Sequence, residues 1–305
     1  MGLMRVWAVL REAASEWTDD NAARLSAALA FYTILSVAPL FVIAVAIAGA
    51  VFGHDAATGA LTDQLRELLG ESGAEVAKTT LQHADKPKEG TLAALVGVVT
   101  LLFGASGVFG ELQGALNTAW DVKPKPGRGV WGKVRDRFLS FGMVLVVGFL
   151  LLVSLVVTTA LAALGGYTAG LAPGVPILMH AANFILAFAV VAALFALVFK
   201  YLPDAEVAWR DVWFGALVTA TLFTVGKYAI GLYLGRSAPG TPFGAAGSLV
   251  AFVVWVYYSG LIVFFGAELT KVTARRAGRE IKPTVNAESA DAGPRAGRQP
   301  LPTRP

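Results

Sequence analysis

The residues best placed for chemistry in this chain are ionisable side chains within or beside long apolar segments. Lys227 lies inside one apolar run, while Glu111 and Glu268 lie near the ends of two others. A charged group at the centre of a bilayer costs about 2.5–3.5 kcal/mol on insertion scales, so such residues mark candidate functional positions. The chemistry to expect is the binding of an anionic group, or ion pairing between helices.

Lys227 is the sharpest case, because helix geometry predicts a position about 10 Å below the outer surface of the bilayer. We expect His180, Asn183 and Thr158 of the two preceding apolar runs at a similar depth, and no acidic residue there. A cation beside neutral donors and acceptors could hold an anion such as a lipid phosphate. The alternative is a structural hydrogen bond to a neighbouring helix.

A stripe of small residues accompanies Glu111 on one helical face. Its members are Gly104, Gly107, Gly110 and Gly114. Small residues let helices approach closely, which predicts tight packing with Glu111 reaching the membrane interface. A glycine-rich helix can also bend, so this segment is alternatively a hinge.

Glu268 is followed one helical turn later by Lys271, at the end of the last apolar run. This spacing predicts an ion pair at the cytoplasmic interface.

Known catalytic arrangements are not found in the sequence. The chain has no cysteine, and its three histidines show no metal-binding spacing. The stretch Gly127–Lys133 is similar to a phosphate-binding loop, but Val134 replaces the required Ser or Thr and the strand–helix context is missing. We therefore expect no catalytic residues, no metal, no cofactor, no nucleic-acid partner and no enzyme activity.

Six apolar runs must position these residues, and each is long enough to cross a hydrocarbon core of about 30 Å as a helix. The predicted fold class is all-α, a polytopic membrane protein. The spans are placed at residues 25–52, 91–120, 138–165, 177–202, 212–234 and 243–269. They make up one membrane domain at residues 25–275.

Three segments lie outside the spans. Residues 1–24 form an amphipathic segment whose apolar face includes Val6, Trp7 and Trp17, which predicts an interfacial helix on the cytoplasmic surface. That segment ends in Thr18–Asn21, which offers N-cap side chains to the first span. An external amphipathic helix is expected at residues 60–82, with leucines on one face and acids on another. The proline-rich residues 276–305 are expected to be a disordered cytoplasmic tail.

The basic residues predict the orientation. Nineteen of the 25 Lys and Arg lie in the two terminal segments and the loops that share their side of the membrane. Because basic segments resist translocation, both termini are expected in the cytoplasm, in a bacterial inner membrane. These residues make membrane lipids the expected partners, and the external acidic helix could recruit other envelope proteins. The oligomeric state stays open.

Four ordered blocks of sequence resemble the YihY/BrkB-like family of bacterial inner-membrane proteins. The matching residues are Ser26–Leu40, Gly110–Trp120, Tyr201–Pro203 with Trp209 and Lys227–Tyr233, and Trp255 with Gly266–Leu269. The resemblance implies six spans and links to envelope integrity, virulence-related serum resistance and lipid movement. It supplies no catalytic residues.

We therefore predict a protein that handles or transports a lipid or an amphipathic anion without ATP hydrolysis. The alternative is an envelope scaffold without transport activity. A tRNA-processing ribonuclease, after an older family label, is the least favoured because no metal-binding cluster is seen.

Overall fold

The computed structural model describes residues 3–53, 107–126, 175–237 and 244–290, together with the isolated residues 55, 58, 59, 62 and 63. The predicted third span, nearly all of the external helix and residues 291–305 lie outside this part of the chain. So does the first half of the predicted second span.

Long helices make up most of the described chain. They are α1 (Leu3–Asp19), α2 (Ala22–Phe52), a helical segment α3 described over 107–119, α4 (Val175–Tyr201), α5 (Trp209–Ser237) and α6 (Gly244–Arg276). Four short strands accompany them: β1 (Val122–Pro124), β2 (Ala205–Glu206), β3 (Lys282–Pro283) and β4 (Ala287–Ser289). Most of the described chain is therefore helical, as the all-α prediction expects, and the four short strands are an addition to it.

Three helices of the described chain are long and apolar enough to cross a membrane. They are Ala181–Tyr201 in α4, Trp209–Ala229 in α5 and Phe252–Arg276 in α6, with a shorter apolar stretch at Ala22–Ser36 in α2. Each falls within a predicted span or overlaps one closely. A helical membrane protein is thus supported, while the number of six spans stays a prediction.

The tightest helix contact joins α5 to α6 through paired small residues. A methyl group added at Gly266 would lie 1.9 Å from Thr219 Oγ1, and one at Gly215 would lie 1.9 Å from Thr270 Oγ1. Both threonine hydroxyls donate back to a carbonyl on their own helix, to Gly215 and Gly266 respectively, each at 2.8 Å. The two helices therefore touch backbone to backbone, and both threonine hydroxyls at the contact are hydrogen-bonded.

Two further close contacts position α6 at the centre of the described helices. Gly260 packs on Ser26 of α2, where an added methyl would lie 3.0 Å from the serine Cβ. Farther along, the ring of Tyr258 lies across Gly226 of α5, and its hydroxyl donates to the carbonyl of Leu222 at 2.8 Å. Because α6 contacts α1, α2 and α5, it is the central helix of the described structure.

Helix α1 packs lengthwise beside the last turns of α6. Ala13 is buried with Leu269 and Val272, and the indole nitrogen of Trp17 donates to the carbonyl of Leu261 at 3.0 Å. These contacts advance in opposite directions along the two helices, so α1 runs antiparallel to α6.

The contacts of α1 differ in part from the amphipathic face read from the sequence. Val6 and Trp7 of that face are exposed, while the buried stripe includes Glu16. A position of α1 at the bilayer surface stays a prediction. The N-cap prediction is wrong: Asn21 has a left-handed backbone with φ 54° and makes no side-chain cap bond. Its amide donates instead to the carbonyl of Asp19 at 3.2 Å.

Residues 277–290 differ from the expected disordered tail. They form a strap in which β3 pairs with β2 and β4 pairs with β1, both antiparallel. Proline excludes a helix here but is compatible with a short edge strand, so Pro283 fits within β3. Ala287 is buried, and the backbone nitrogen of Ala290 donates to the carbonyl of Asp121 at 2.7 Å. The strap thereby joins the α3–β1 turn to the α4–α5 connection.

We predict that Gly266→Ala destabilises the protein by about 1–3 kcal/mol, because a methyl group forced into a filled contact must displace its neighbours. Thermal unfolding in detergent measures the change. Gly114→Ala is the matched control, since no described atom lies within 4 Å of its added methyl. Adding Thr219→Ala to Gly266→Ala should restore part of the loss. Equal unfolding temperatures for Gly266→Ala and Gly114→Ala would contradict the packing.

Candidate functional site

A buried lysine collects carboxylates from three segments at one end of the helices. Lys271 Nζ on α6 lies 2.9 Å from Glu268 Oε2, 3.0 Å from Glu16 Oε2 on α1 and 3.2 Å from Asp121 Oδ2 after α3. Asp20 Oδ2, in the α1–α2 turn, is 3.9 Å away. We call these five residues the Lys271 cluster. The Glu268–Lys271 pair expected from the sequence is present within it.

The backbone directs two of these acids toward the lysine. Asp121 adopts a left-handed conformation with φ 52°, which aspartate tolerates better than most residues, and so turns the chain from α3 into β1. Asp20 precedes the equally left-handed Asn21 in the turn between α1 and α2. Each turn therefore brings a carboxylate to the cluster from a different part of the chain.

Two arginines extend the ion pairing along the α1–α6 contact. Arg275 contacts Glu16 and Glu12, and Arg276 Nε donates to Glu12 Oε2 at 2.8 Å. Burial alone would raise the pKa of the Glu16 carboxyl, but the charge of Lys271 and hydrogen bonds from Arg275 and Lys271 outweigh it. The pKa of Glu16 is therefore lowered. The outer pairs with Glu12 are more exposed and contribute little to stability.

A second buried polar contact fixes the neighbouring connection between α4 and α5. Asn117 Nδ2 on α3 donates to Asp204 Oδ2 at 3.1 Å, and the Asp204 backbone nitrogen donates to Asn117 Oδ1 at 2.8 Å. Thr284 of the strap donates its backbone nitrogen to the Asp204 carbonyl at 2.9 Å. Asp204 thus links three segments that are distant in sequence.

The strap is fastened to the start of α5 by a further ion pair. Arg279 contacts both carboxylate oxygens of Asp211, with Nε to Oδ2 at 2.9 Å. Lys125 Nζ also donates to the carbonyl of Val285 at 2.9 Å. Because Asp211 lies in the first turn of α5, its negative charge also favours that helix end.

The intramembrane residues predicted around Lys227 are only partly described. Lys227 is half-buried on α5, ten residues before the end of that helix at Ser237. Asn183 is half-buried on α4, and its Oδ1 is buried without a hydrogen bond from the described residues. The side chain of His180 and all of Thr158 lie outside the described part. The structure therefore does not join Lys227 to Asn183 by a hydrogen bond, and a shared cavity stays a prediction.

The glycine stripe makes less contact than its sequence suggested. Gly107 would place a methyl 3.5 Å from Ser36 Oγ, but Gly110 and Gly114 have no described atom within 4 Å of theirs. Glu111 is half-buried, and Gly104 lies outside the described residues. Tight glycine packing occurs instead between α5 and α6. A hinge role for the stripe stays a prediction.

Sequence reasoning missed Glu16, Asp20 and Asp121 as members of the Lys271 cluster. All three lie far from Lys271 in sequence, in segments interpreted as an interfacial helix, a helix cap and a basic loop. A lysine buried on an apolar helix requires carboxylate partners to compensate its charge. This requirement was the only feature of the sequence that indicated further acidic partners for Lys271. In the described ranges no group of His, Asp or Glu is arranged to hold a metal ion, and the Lys271 ammonium lies among the carboxylates of its cluster.

We predict that Asn117→Ala destabilises the protein by about 1–3 kcal/mol, because the buried Asp204 carboxylate and backbone nitrogen each lose a partner. The free energy of unfolding, measured against Thr118→Ala, tests this. Thr118 is exposed on the same helix and bonds only to the Gly114 carbonyl in the described structure. Similar unfolding free energies for the two variants would contradict the role of the contact.

Stability is predicted to fall on acidification through the Glu16 carboxyl. Because its pKa is lowered on folding, the carboxyl stabilises the protein above the ordinary value of 4.5, and this stabilisation disappears as the pH drops below that value. Unfolding temperatures across this pH range should fall for the natural protein and fall less steeply for Glu16→Gln. Identical slopes for the two proteins would contradict the assignment.

Comparison with known proteins agrees with this picture of a helical membrane protein. The family described as Virulence factor BrkB matches residues 13–291. The UPF0761 membrane protein of Rhodospirillum centenum is 31% identical over 277 residues, covering 89% of this chain and 59% of the relative. That of Verminephrobacter eiseniae is 32% identical over 264 residues, covering 82% and 58%.

This chain therefore spans under two thirds of the length of these relatives. No solved structure matches it. The family match extends past the last helix and takes in the strap, as well as every member of the Lys271 cluster. The chain belongs to the BrkB family of membrane proteins.

Proposed function

We propose that this protein handles a lipid or another amphipathic anion of the cell envelope without ATP hydrolysis, and that Lys227 contacts the anionic group. The observation that supports this is the position of Lys227. It is half-buried on a membrane-crossing helix and is the only charged residue between Asp211 and Arg236. A positive charge kept in such a segment is a functional candidate by default.

The surroundings of Lys227 suit the headgroup region of a lipid. Lys227 lies in the half of α5 remote from Trp209, and the apolar run of the sequence continues beyond it to Leu234, about 10 Å farther along the helix. A lysine at that level can extend its ammonium toward the interface, where lipid phosphates lie. Val225 and Tyr228 beside it are exposed, as lipid-facing residues would be.

The neighbouring helices supply a fixed wall and an unused acceptor. Tyr258 of α6 lies directly across Gly226, so the backbone beside Lys227 is held against α6. On α4, Asn183 Oδ1 has no hydrogen bond from the described residues, and Phe184 and Ile185 next to it are exposed. A polar headgroup between α4 and α5 would find a cation on one helix and an amide on the other.

The opposite end of the helices supports a defined position in the membrane. Tyr201, Trp209 and Trp213 form a run of ring contacts where α4 passes into α5, and all three are exposed. Such aromatic side chains favour a membrane–water interface. The described ends of the chain, α1 and the strap, lie at this same end. We propose that it faces the cytoplasm of a bacterial inner membrane.

The alternative function, a scaffold for other envelope proteins, depends on the external helix at residues 60–82 and on the basic loop at residues 121–137. Both lie largely outside the described residues, so the described structure does not favour this function over lipid handling.

Reconstitution in liposomes with a fluorescent phospholipid tests the proposal. We expect the natural protein to exchange lipid between leaflets faster than empty vesicles do. Lys227→Met should slow this exchange about tenfold or more, because a hydrogen bond to a charged group is worth about 1.5–3 kcal/mol. Arg210→Gln is the matched control, since Arg210 is an exposed cation at the other end of the same helix.

The control should exchange lipid at the natural rate. Equal rates for the natural protein, Lys227→Met and empty vesicles would overturn the proposal for a phospholipid. A full rate in Lys227→Met would overturn the role of the lysine.

A further inference from the structure

Tyr258 of α6 holds the turn of α5 that comes directly before Lys227. Its hydroxyl donates to the carbonyl of Leu222 at 2.8 Å, and its ring lies across Gly226, where an added methyl group would be 2.6 Å from Cζ of the ring. Leu222 and Gly226 are one helical turn apart, so both lie on the side of α5 that faces α6. The next residue along α5 is Lys227.

Without Tyr258, this turn would be a weak point of α5. Glycine within a helix is less stable than alanine, and helices bend where a side chain inserts into the backbone hydrogen bonds. In an α-helix the amide of Gly226 points to the carbonyl of Leu222, and the same carbonyl accepts a bond from Tyr258. The direction in which α5 continues, and with it the starting point of the Lys227 side chain, therefore depends on Tyr258.

Tyr258 is itself fixed by the aromatic rings around it. It stacks on Trp255, one turn earlier in α6, with ring centroids 6.0 Å apart, and the buried Trp255 contacts Phe223 of α5 at 4.9 Å. Phe223 in turn contacts Phe195 of α4 at a centroid distance of 5.6 Å. These rings therefore fix α6, α5 and α4 relative to one another at the level one turn before Lys227.

The same contacts define the side of α5 on which Lys227 lies. Lys227 comes one turn after Phe223, on the side turned toward α4. Ring contacts advance in opposite directions along α4 and α5, so these helices run antiparallel, and the part of α4 nearest Lys227 is the apolar turn before Phe195. Neither α4 nor the stretch from Val212 to Ala267 contains an acidic residue. A bound headgroup would find a cation here and no carboxylate from these segments.

We infer that Tyr258 is a positioning residue for Lys227, and that the site so formed selects lipids of net negative charge. A lipid phosphate without a cation of its own gains the full attraction of the Lys227 ammonium. A zwitterionic headgroup brings its own positive charge close to Lys227, where the two cations repel each other. The selectivity rests on the proposed lipid handling, whereas the fixed position of Lys227 does not.

Lipid exchange in liposomes tests the selectivity. Fluorescent phosphatidylglycerol and phosphatidylcholine are compared at equal content, and the measured quantity is the ratio of their exchange rates. The natural protein should exchange phosphatidylglycerol about tenfold faster, the effect of one hydrogen bond to a charged group. Tyr258→Phe keeps the ring but removes the hydroxyl, and should lower this ratio about fivefold, the effect of one ordinary hydrogen bond. A general loss of folded protein would lower both rates together and leave the ratio unchanged.

Tyr257→Phe is the matched control, because Tyr257 is half-buried on the same helix and makes no hydrogen bond or ring contact with another described residue. This variant should keep the natural ratio. Equal exchange rates for the two lipids in the natural protein would overturn the selectivity. A natural ratio in Tyr258→Phe would overturn the role of the tyrosine hydroxyl.

A spin label at position 227 tests the positioning without any lipid exchange. The chain has no cysteine, so Lys227→Cys provides a single attachment site. In lipid nanodiscs the label should become more mobile when Tyr258→Leu is added, because the preceding turn loses its support, and should stay unchanged with Tyr257→Leu. Equal mobility with and without Tyr258 would overturn the positioning role. If the natural protein exchanges neither lipid, the selectivity fails together with the proposed function, while this measurement still decides the role of Tyr258.

Discussion

The ion contacts of Lys271 are the constraint on which the described end of the molecule depends. One ammonium group on α6 brings together that helix, the end of α1 with its following turn, and the α3–β1 turn, three segments that are remote in sequence. Removing one partner of a buried ion pair typically costs about 3–5 kcal/mol, because the other charges are left uncompensated. The cluster therefore ties the N-terminal helix to the last helix more firmly than the small apolar patch around Ala13 alone could.

Close backbone packing along α6 gives this contact a rigid support. Gly266 and Gly215 let α5 and α6 touch, and Gly260 lets α2 approach from another side. The residues Gly266 to Leu269 thus combine two tasks within one turn, close packing at Gly266 and ion pairing at Glu268. The strap adds further support at this end. Arg279 pairs with Asp211 at the start of α5, and β3 pairs with β2 in the α4–α5 connection. In this arrangement the polar end is fixed, and Lys227 lies farther along α5, in the half of the helix remote from Trp209.

The sequence predicted the parts that follow from local pattern. Apolar length located α2, α4, α5 and α6, and the turn spacing predicted the Glu268–Lys271 pair. It could not predict which distant acids complete the cluster. Asp20 approaches Lys271 through the packing of α1 on α6, and Asp121 approaches it through its own left-handed turn after α3. The proline content of the C-terminal segment predicts disorder because proline is excluded from helices. Pro283 lies instead in the short strand β3, which accepts a proline. The glycine stripe at Gly110 and Gly114 predicts a close helix contact from local pattern alone. No described helix packs closely on these two glycines, whereas α5 packs closely on Gly266.

Cysteine cross-linking in native membranes tests the central claim most directly, because the chain contains no cysteine of its own. Ala13→Cys with Val272→Cys reports the α1–α6 contact, and Phe195→Cys with Phe223→Cys reports the remote α4–α5 contact as a control. The account predicts that Lys271→Met abolishes the first cross-link by a short thiol-specific reagent and leaves the second intact. Equal cross-linking of Ala13→Cys and Val272→Cys with and without Lys271 would contradict it.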